Sequence, residues 1–157
     1  MSISHTTILL ATDGSEEAIL AAHIAADVAN KTDSELHIAH VRPRITPHYP
    51  GYYIGPEVVE EAEEKEQRYL DREAQRLLNT QVEQVSAAGG SVAQFHLRSG
   101  RPEEEIVSLA EELGARLIVL GSRGRGGLRR ALMGSVSDSV VRHAHCPVLV
   151  VREEKQD

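Results

Sequence analysis

Residues 7–15 of the chain read TILLATDGS. The first five of these residues form a short apolar run rich in strand formers, and the final Asp-Gly-Ser is typical of a turn that ends in a helix N-cap. Glu16 and Glu17 follow, where acidic side chains complement the positive end of a helix. Alanines then recur at helical spacing, at Ala18, Ala22, Ala25 and Ala29. The segment therefore predicts a strand that passes directly into a helix with a closely packing inner face.

The same alternation of strand and helix signals continues to the end of the chain. Further strands are predicted at residues 35–41, 92–97, 116–120 and 148–151, and further helices at 58–88, 102–113 and 135–144. The inner face of the 58–88 helix is assigned to Val58, Ala62, Tyr69, Leu77, Val82 and Val85. Alternating strands and helices form a parallel sheet that is covered on both faces. We predict one α/β domain over residues 1–152 and a frayed tail at 153–157.

Composition restricts the class of protein. A chain of 157 residues fits one domain, and its aromatic share of 3% and formal net charge of −7 argue against nucleic acid as a partner. The single cysteine cannot form an internal disulfide, and the apolar runs are far shorter than the roughly 20 residues of a membrane span. The N-terminal residues lack the pattern of a secretory signal. We expect a cytoplasmic protein that does not insert into a membrane.

The most informative pattern is a glycine motif that follows the 116–120 strand. GSRG at residues 121–124 is separated by nine residues from GS at 134–135. Glycines let the backbone approach a phosphate closely, and the start of the next helix offers unpaired N–H groups to an anion. The motif contains four arginines and no acid: Arg123, Arg125, Arg129 and Arg130. We expect one of the last three to contact phosphate. The alternative is a flexible surface loop.

Two common phosphate motifs do not fit this segment. The P-loop pattern does not occur, and Arg129 stands where the dinucleotide fingerprint needs its third glycine. Together with ILLATDGS at 8–15 and CPVLVV at 146–151, the glycine motif resembles the universal stress protein family in its ATP-binding branch. The resemblance covers essentially the whole chain. It implies a three-layer fold of the adenine-nucleotide-binding type, with five parallel strands in the order 3-2-1-4-5 and about four helices.

The resemblance also implies which residues contact a nucleotide. Asp13 would hydrogen-bond the ribose, beside Ala11 and Thr12, and Val41 would meet adenine through its backbone. Two sets would surround the ribose and phosphates: first Gly121, Ser122, Arg123 and Gly124, and then Gly134, Ser135, Val136 and Ser137. The ligand would be ATP, with Mg²⁺ carried by the nucleotide. From the residues alone, the alternative for Asp13 is a turn or helix-cap residue.

Three functions are compatible with this sequence. The first is a regulatory ATP-binding module of the stress response, and its regulatory partner is not identified by the sequence. The second is a slow ATPase or another adenine-nucleotide enzyme of similar fold, although no paired carboxylates or Lys/His base adjoin the glycine motif in sequence. The third is a structural dimer whose loop is empty. Because the 148–151 strand is apolar on both sides and is expected at the sheet edge, we predict a homodimer through it.

Other side chains that could carry chemistry have simpler interpretations. The HAHC segment at 143–146 offers too few ligands, at a helix end, so we assign it to packing and expect no metal site. His37 and His40 are interpreted as partly buried or edge side chains of a strand. The proline-rich 43–56 connection is interpreted as an ordinary loop, and its tyrosines, Tyr49, Tyr52 and Tyr53, leave a lid or partner-binding role as the alternative.

Overall fold

The computed structural model describes residues 4–44, 55–122 and 133–153. Within these ranges the chain forms five strands and four helices in alternation. The strands are β1 (Thr7–Ala11), β2 (Glu35–Arg42), β3 (Gln94–Ser99), β4 (Leu117–Gly121) and β5 (Val148–Val151). The helices are α1 (Glu16–Thr32), α2 (Pro56–Ala87), α3 (Pro102–Leu113) and α4 (Ser135–His143). The predicted α/β class is confirmed.

The sheet is parallel and has the predicted strand order, β3-β2-β1-β4-β5. β1 lies at its centre, and Ile8, Leu9 and Leu10 are fully buried because both faces of the strand are covered. The chain runs from β1 to β2 and β3 on one side, and α3 then carries it back across to β4 and β5 on the other side of β1. In sheets of this kind the crevice for a ligand lies at the carboxyl ends of the strands, where the strand order reverses.

Two apolar clusters cover the two faces of the sheet. On one face, Ile8 and Leu10 pack with the alanines of α1 and with Val85 of α2. On the other face, Leu9 and Ile118 pack with residues of α3 and α4. The result is the predicted three-layer arrangement.

The alanine face of α1 is confirmed. Ser15 caps this helix by accepting a hydrogen bond from the Ala18 N–H, and Asp33 ends it in a left-handed conformation. The buried alanines are Ala18, Ala21, Ala22, Ala25, Ala26 and Ala29. Because alanine projects little from a helix, α1 can lie close to the sheet.

The predicted inner face of α2 is wrong in part. Val58, Tyr69 and Val82 are 58%, 61% and 37% exposed, and the buried residues are Ala74, Gln81 and Val85. The helix also begins at Pro56 and not at residue 58. With 32 residues it is far longer than α1, which has 17, so only its C-terminal part has a helix to pack on. Ala62 is also exposed, and Leu77 is half-buried.

The third strand begins and ends two residues later than predicted, at Gln94–Ser99. β2 extends to Arg42, one residue beyond its predicted end, and Arg42 pairs with Ser99. The end of β3 is therefore set by its partner. β4 and α4 differ from their predicted bounds by one residue, at 117–121 and 135–143.

No helix in the described ranges has the length and apolarity needed to cross a membrane.

Val85 and Val58 give a matched test of how α2 is seated. Val85→Ala should lower the free energy of unfolding by roughly 2 kcal/mol, because it removes two methyl groups from a fully buried position. Val58→Ala should change it by less than about 0.5 kcal/mol, since Val58 is largely exposed. Both replacements have the same helix propensity change, and urea unfolding measures both. Equal losses in the free energy of unfolding would contradict this placement of α2 in the fold.

Candidate functional site

The turn between β1 and α1 is fixed by side chains of its own residues. The Asp13 carboxylate accepts a hydrogen bond from the Ser15 N–H at 2.9 Å, and the Thr12 hydroxyl accepts one from the Gly14 N–H at 3.2 Å. Gly14 has a φ of 77°, which favours glycine. The helix cap is Ser15, whose hydroxyl accepts from Ala18 N at 3.2 Å. One Asp13 oxygen thus forms the turn, while its predicted ribose contact stays a prediction.

The backbone of Val41 faces the space beyond the end of β1. The Ala39 carbonyl accepts from Thr12 N at 2.9 Å, on the β1 side of β2. The Arg42 carbonyl accepts from Gly100 N at 3.0 Å, on the β3 side. Because backbone groups alternate along a strand, Val41 points the same way as Ala39, where β1 has already ended. This direction suits the predicted contact with a planar base.

Ser122, the first residue after β4, is a junction of hydrogen bonds. Its N–H donates to the Val151 carbonyl at 2.8 Å, at the end of β5. Its carbonyl accepts from the Gly134 N–H at 2.5 Å and from the Ser137 hydroxyl at 2.7 Å, both at the start of α4. Its hydroxyl donates to Oε2 of Glu17 at 2.8 Å. Ser122 is 1% exposed and joins β4 to α1, α4 and β5. We call this set of bonds the Ser122 junction.

Glu17 is a residue of this site that the sequence interpretation missed. The sequence suggests an exposed acid at a helix start, but Glu17 is 7% exposed. It lies four residues before Ala21, on the buried stripe of α1, so the helical period that predicts the alanine face also includes position 17. An ideal Cβ on Gly121 would lie 3.0 Å from the Glu17 Cβ. Glycine at 121 therefore lets α1 approach the end of β4.

The N-terminus of α4, like those of α2 and α3, has no side-chain cap bond. Its N-cap is Gly134, and the next residue, Ser135, is exposed. The Ser137 hydroxyl is directed to the carbonyls of Ser122 and Gly134, at 2.7 and 3.1 Å. The N–H groups of the first helical turn have no acceptor within the helix. They are the groups that Ser135 and Val136 can present to a ligand.

The predicted site residues fall into three groups. Asp13, Val41 and Ser135 lie at the carboxyl edge of the sheet in positions that can reach a ligand. The other predicted residues within the described ranges are buried or half-buried: Ala11, Thr12, Gly121, Ser122, Gly134, Val136 and Ser137. The remaining predicted residues lie outside the described ranges: Arg123 and Gly124, the arginines 125, 129 and 130, and the tyrosines 49, 52 and 53.

The histidines of β2 and β3 contact other groups within the sheet. His37 is buried and lies 3.0 Å from His96, Nδ1 to Nε2, with the rings stacked. Burial, followed by His37 and Arg98, lowers the pKa of His96. His40 Nδ1 lies 3.0 Å from the Thr12 carbonyl.

The 143–146 segment does not assemble a metal centre in the described part of the chain, where no group of three or more His, Cys, Asp or Glu side chains could hold a metal ion. Burial raises the pKa of the Cys146 thiol, which disfavours the thiolate that binds metals.

Comparison with known proteins agrees with this geometry. The profile of the universal stress protein family matches residues 5–152. The chain belongs to the universal stress protein family. A relative within the family, a universal stress protein of Methanocaldococcus jannaschii, is 35% identical over 150 residues, which cover 96% of this chain and 84% of the relative.

Solved structures of the universal stress protein family have the same fold. Universal stress protein UspA from Lactobacillus plantarum superposes with a TM-score of 0.79 at 24% identity, over 95% of this chain and 99% of that one. A universal stress protein solved in complex with cAMP has a TM-score of 0.67 at 25% identity, over 95% of this chain and 98% of that one. The five-stranded arrangement described above is thus the arrangement of the family.

Ser137 and Ser139 test the bonds at the start of α4. Ser137→Ala should lower the free energy of unfolding by about 1 to 2 kcal/mol, because the buried Ser122 carbonyl loses one of its donors. Ser139→Ala, in the same helix, should change it by less than about 0.5 kcal/mol. Chemical denaturation compares the two variants, and a Ser137→Ala protein as stable as Ser139→Ala would show that the Ser137 bond contributes nothing.

Proposed function

We propose that this protein binds an adenine nucleotide at the carboxyl edge of its sheet, with Mg-ATP as the preferred ligand. Its occupancy regulates a partner in the cytoplasm and does not serve rapid catalysis. The observation that carries this proposal is the N-terminus of α4, which has no acid at its first three positions and is linked through the Ser122 junction to α1, the helix that follows Asp13.

Charge distinguishes α4 from the other helices as the site for phosphate. α1, α2 and α3 each have a glutamate at their first or second position, Glu16, Glu57 and Glu103. In α4 the first acid is Asp138, at the fourth position, and it pairs with Arg142 at 3.0 Å. A helix N-terminus attracts anions, and its own acids cancel that attraction. Of the four described helices, α4 offers phosphate the most favourable start.

The nucleoside end of the ligand fits the neighbouring strands. Asp13 leaves β1 in a rigid turn, and the Val41 backbone faces the space beside it. A carboxylate can accept hydrogen bonds from ribose hydroxyls, and a strand backbone can pair with the edge of adenine. The related protein solved with cAMP supports an adenine nucleotide as the ligand class.

The preference for ATP depends on the sequence of the glycine motif. Its four arginines lie in the segment that follows Ser122, and no acid accompanies them. Charge-assisted hydrogen bonds from arginine favour a ligand with several phosphate charges over one with a single charge. Mg²⁺ accompanies the triphosphate and offsets part of its charge.

A binding role is favoured over an enzymatic one because no paired carboxylates and no Lys or His base adjoin the glycine motif in sequence. A general base must be within hydrogen-bond reach of the water that it activates. We therefore expect at most slow hydrolysis of ATP, and a slow ATPase is the second candidate.

Removal of one backbone N–H tests the phosphate site directly. The wild-type protein should bind Mg-ATP with a micromolar Kd, about −7 to −8 kcal/mol. Ser135→Pro places proline at the first helical position, where it is well tolerated, and removes a donor to phosphate. It should weaken the binding of ATP by about 1 to 2 kcal/mol and leave the binding of adenosine unchanged. Ser135→Ala is the matched control that removes only the hydroxyl. Titration calorimetry measures all three proteins.

The same samples separate the alternative functions. No binding heat, and no nucleotide released on denaturation, would favour a structural protein with an empty loop. Phosphate release near the roughly 10 per second of ordinary enzymes would favour catalysis. An equal loss of ATP affinity in Ser135→Ala and Ser135→Pro would show that the phosphates do not contact the backbone N–H groups of α4.

The apolar edge strand supports a second part of the proposal, a homodimer. β5 lies at the sheet edge, and Val148, Leu149 and Val150 are only half-buried in the single chain. An exposed strand edge of this kind pairs readily with another strand. A two-fold axis beside β5 would pair the strand with its own copy in antiparallel orientation.

Val150→Asp should convert the dimer into a monomer, because two carboxylates would be desolvated close together near the axis. Val150→Thr keeps the shape of the side chain and should stay dimeric. Light scattering at tens of micromolar measures the mass, and circular dichroism verifies that both variants are folded. A monomeric wild type, or a folded Val150→Asp dimer, would exclude β5 as the interface.

A further inference from the structure

Glu17 occupies a position where a charged side chain is costly. It is 7% exposed and lies on the face of α1 whose other buried residues are alanines. The effective penalty for burying an ion is several kcal/mol unless hydrogen bonds compensate it. Alanine would continue the packing pattern of α1, so packing alone does not account for a glutamate at this position. The contacts of its carboxylate indicate what it does.

The Glu17 carboxylate accepts a hydrogen bond from the Ser122 hydroxyl, with 2.8 Å between Oγ and Oε2, across 105 residues of sequence. A hydroxyl has one proton, so Ser122 cannot donate to Glu17 and to a phosphate at the same time. This buried hydrogen bond fixes the Ser122 side chain toward Glu17. Ser122 therefore serves the nucleotide site through its position and its backbone.

Glu17 also belongs to the part of the chain that holds Asp13. The Asp13 carboxylate bonds to Ser15 N, and the Ser15 hydroxyl bonds to Ala18 N, so the turn and the first turn of α1 form one hydrogen-bonded unit. On the other side, the Ser122 carbonyl is bonded to Gly134 at the start of α4. The bond between Glu17 and Ser122 is a side-chain link between these two units.

We propose that Glu17 is a positioning residue of the nucleotide site, which sets the distance between the Asp13 turn and the phosphate-binding start of α4. The inference rests on the proposed nucleotide function and adds a residue to it. Its consequence is specific to ligand length. A ligand that spans both units, such as ATP, depends on their spacing, whereas adenosine, which engages only the Asp13 and Val41 side, does not.

Calorimetry with Mg-ATP and with adenosine tests this link in a small set of variants. Glu17→Ala should lower the affinity for ATP about tenfold and the affinity for adenosine less than about twofold. Glu17→Gln keeps an oxygen acceptor for Ser122 and should restore ATP affinity to within about threefold of wild type. Glu16→Ala, at the exposed neighbouring position, is the matched control and should bind both ligands as wild type does.

A double-mutant cycle with Ser122→Ala identifies the partner. If Glu17 acts through Ser122, the double variant should bind ATP no more than about twofold more weakly than Glu17→Ala alone. Additive losses would overturn the link. Equal losses for ATP and adenosine, or a lower melting temperature with unchanged ATP affinity, would show a general structural role and overturn the proposal. A wild type that binds neither ligand would instead overturn the nucleotide function itself, which Glu17 variants alone cannot do.

Discussion

The hydrogen bonds around Ser122 determine how the parts of the candidate site are placed. Ser122 is 1% exposed, and its N–H, carbonyl and hydroxyl each have a partner within the protein. A buried polar group without a partner costs about 1 to 3 kcal/mol. Each of these bonds is therefore maintained, because its loss would destabilise the fold by an amount of that order. Together they fix α1, α4 and β5 against the end of β4. The candidate site is the surface that these fixed elements leave at the carboxyl edge of the sheet.

Electrostatics then distinguishes between helices that the topology makes equivalent. In a parallel sheet, every helix that follows a strand begins at the carboxyl edge, so geometry alone offers several anion sites. The acids at the starts of α1, α2 and α3 neutralise three of them. The first-turn acid of α4, Asp138, comes only at the fourth position and pairs with Arg142. The placement of a few glutamates therefore leaves α4 as the described helix with no acid at its first two positions.

The sequence predicted the elements well where packing is periodic and local. The alanines of α1 and the apolar runs of β1 and β4 are unambiguous, and the family resemblance supplied the strand order. α2 could not be predicted in the same way, because its hydrophobic pattern continues past Val58 and Tyr69 while its packing partner, α1, does not extend that far. Glu17 was missed because a glutamate in a first helical turn is usually a solvated end group. Its partner lies 105 residues away, and only the fold brings the two together.

The bond between the Gly134 N–H and the Ser122 carbonyl closes the chain on itself across residues 123–133. For a flexible loop with fixed ends, doubling its length costs only about 0.6 kcal/mol of closure entropy. A change in the length of the connection between these two residues should therefore cost the fold little. Descendants of this chain can therefore differ in the length of that connection, while the hydrogen bonds of the Ser122 junction are inherited unchanged.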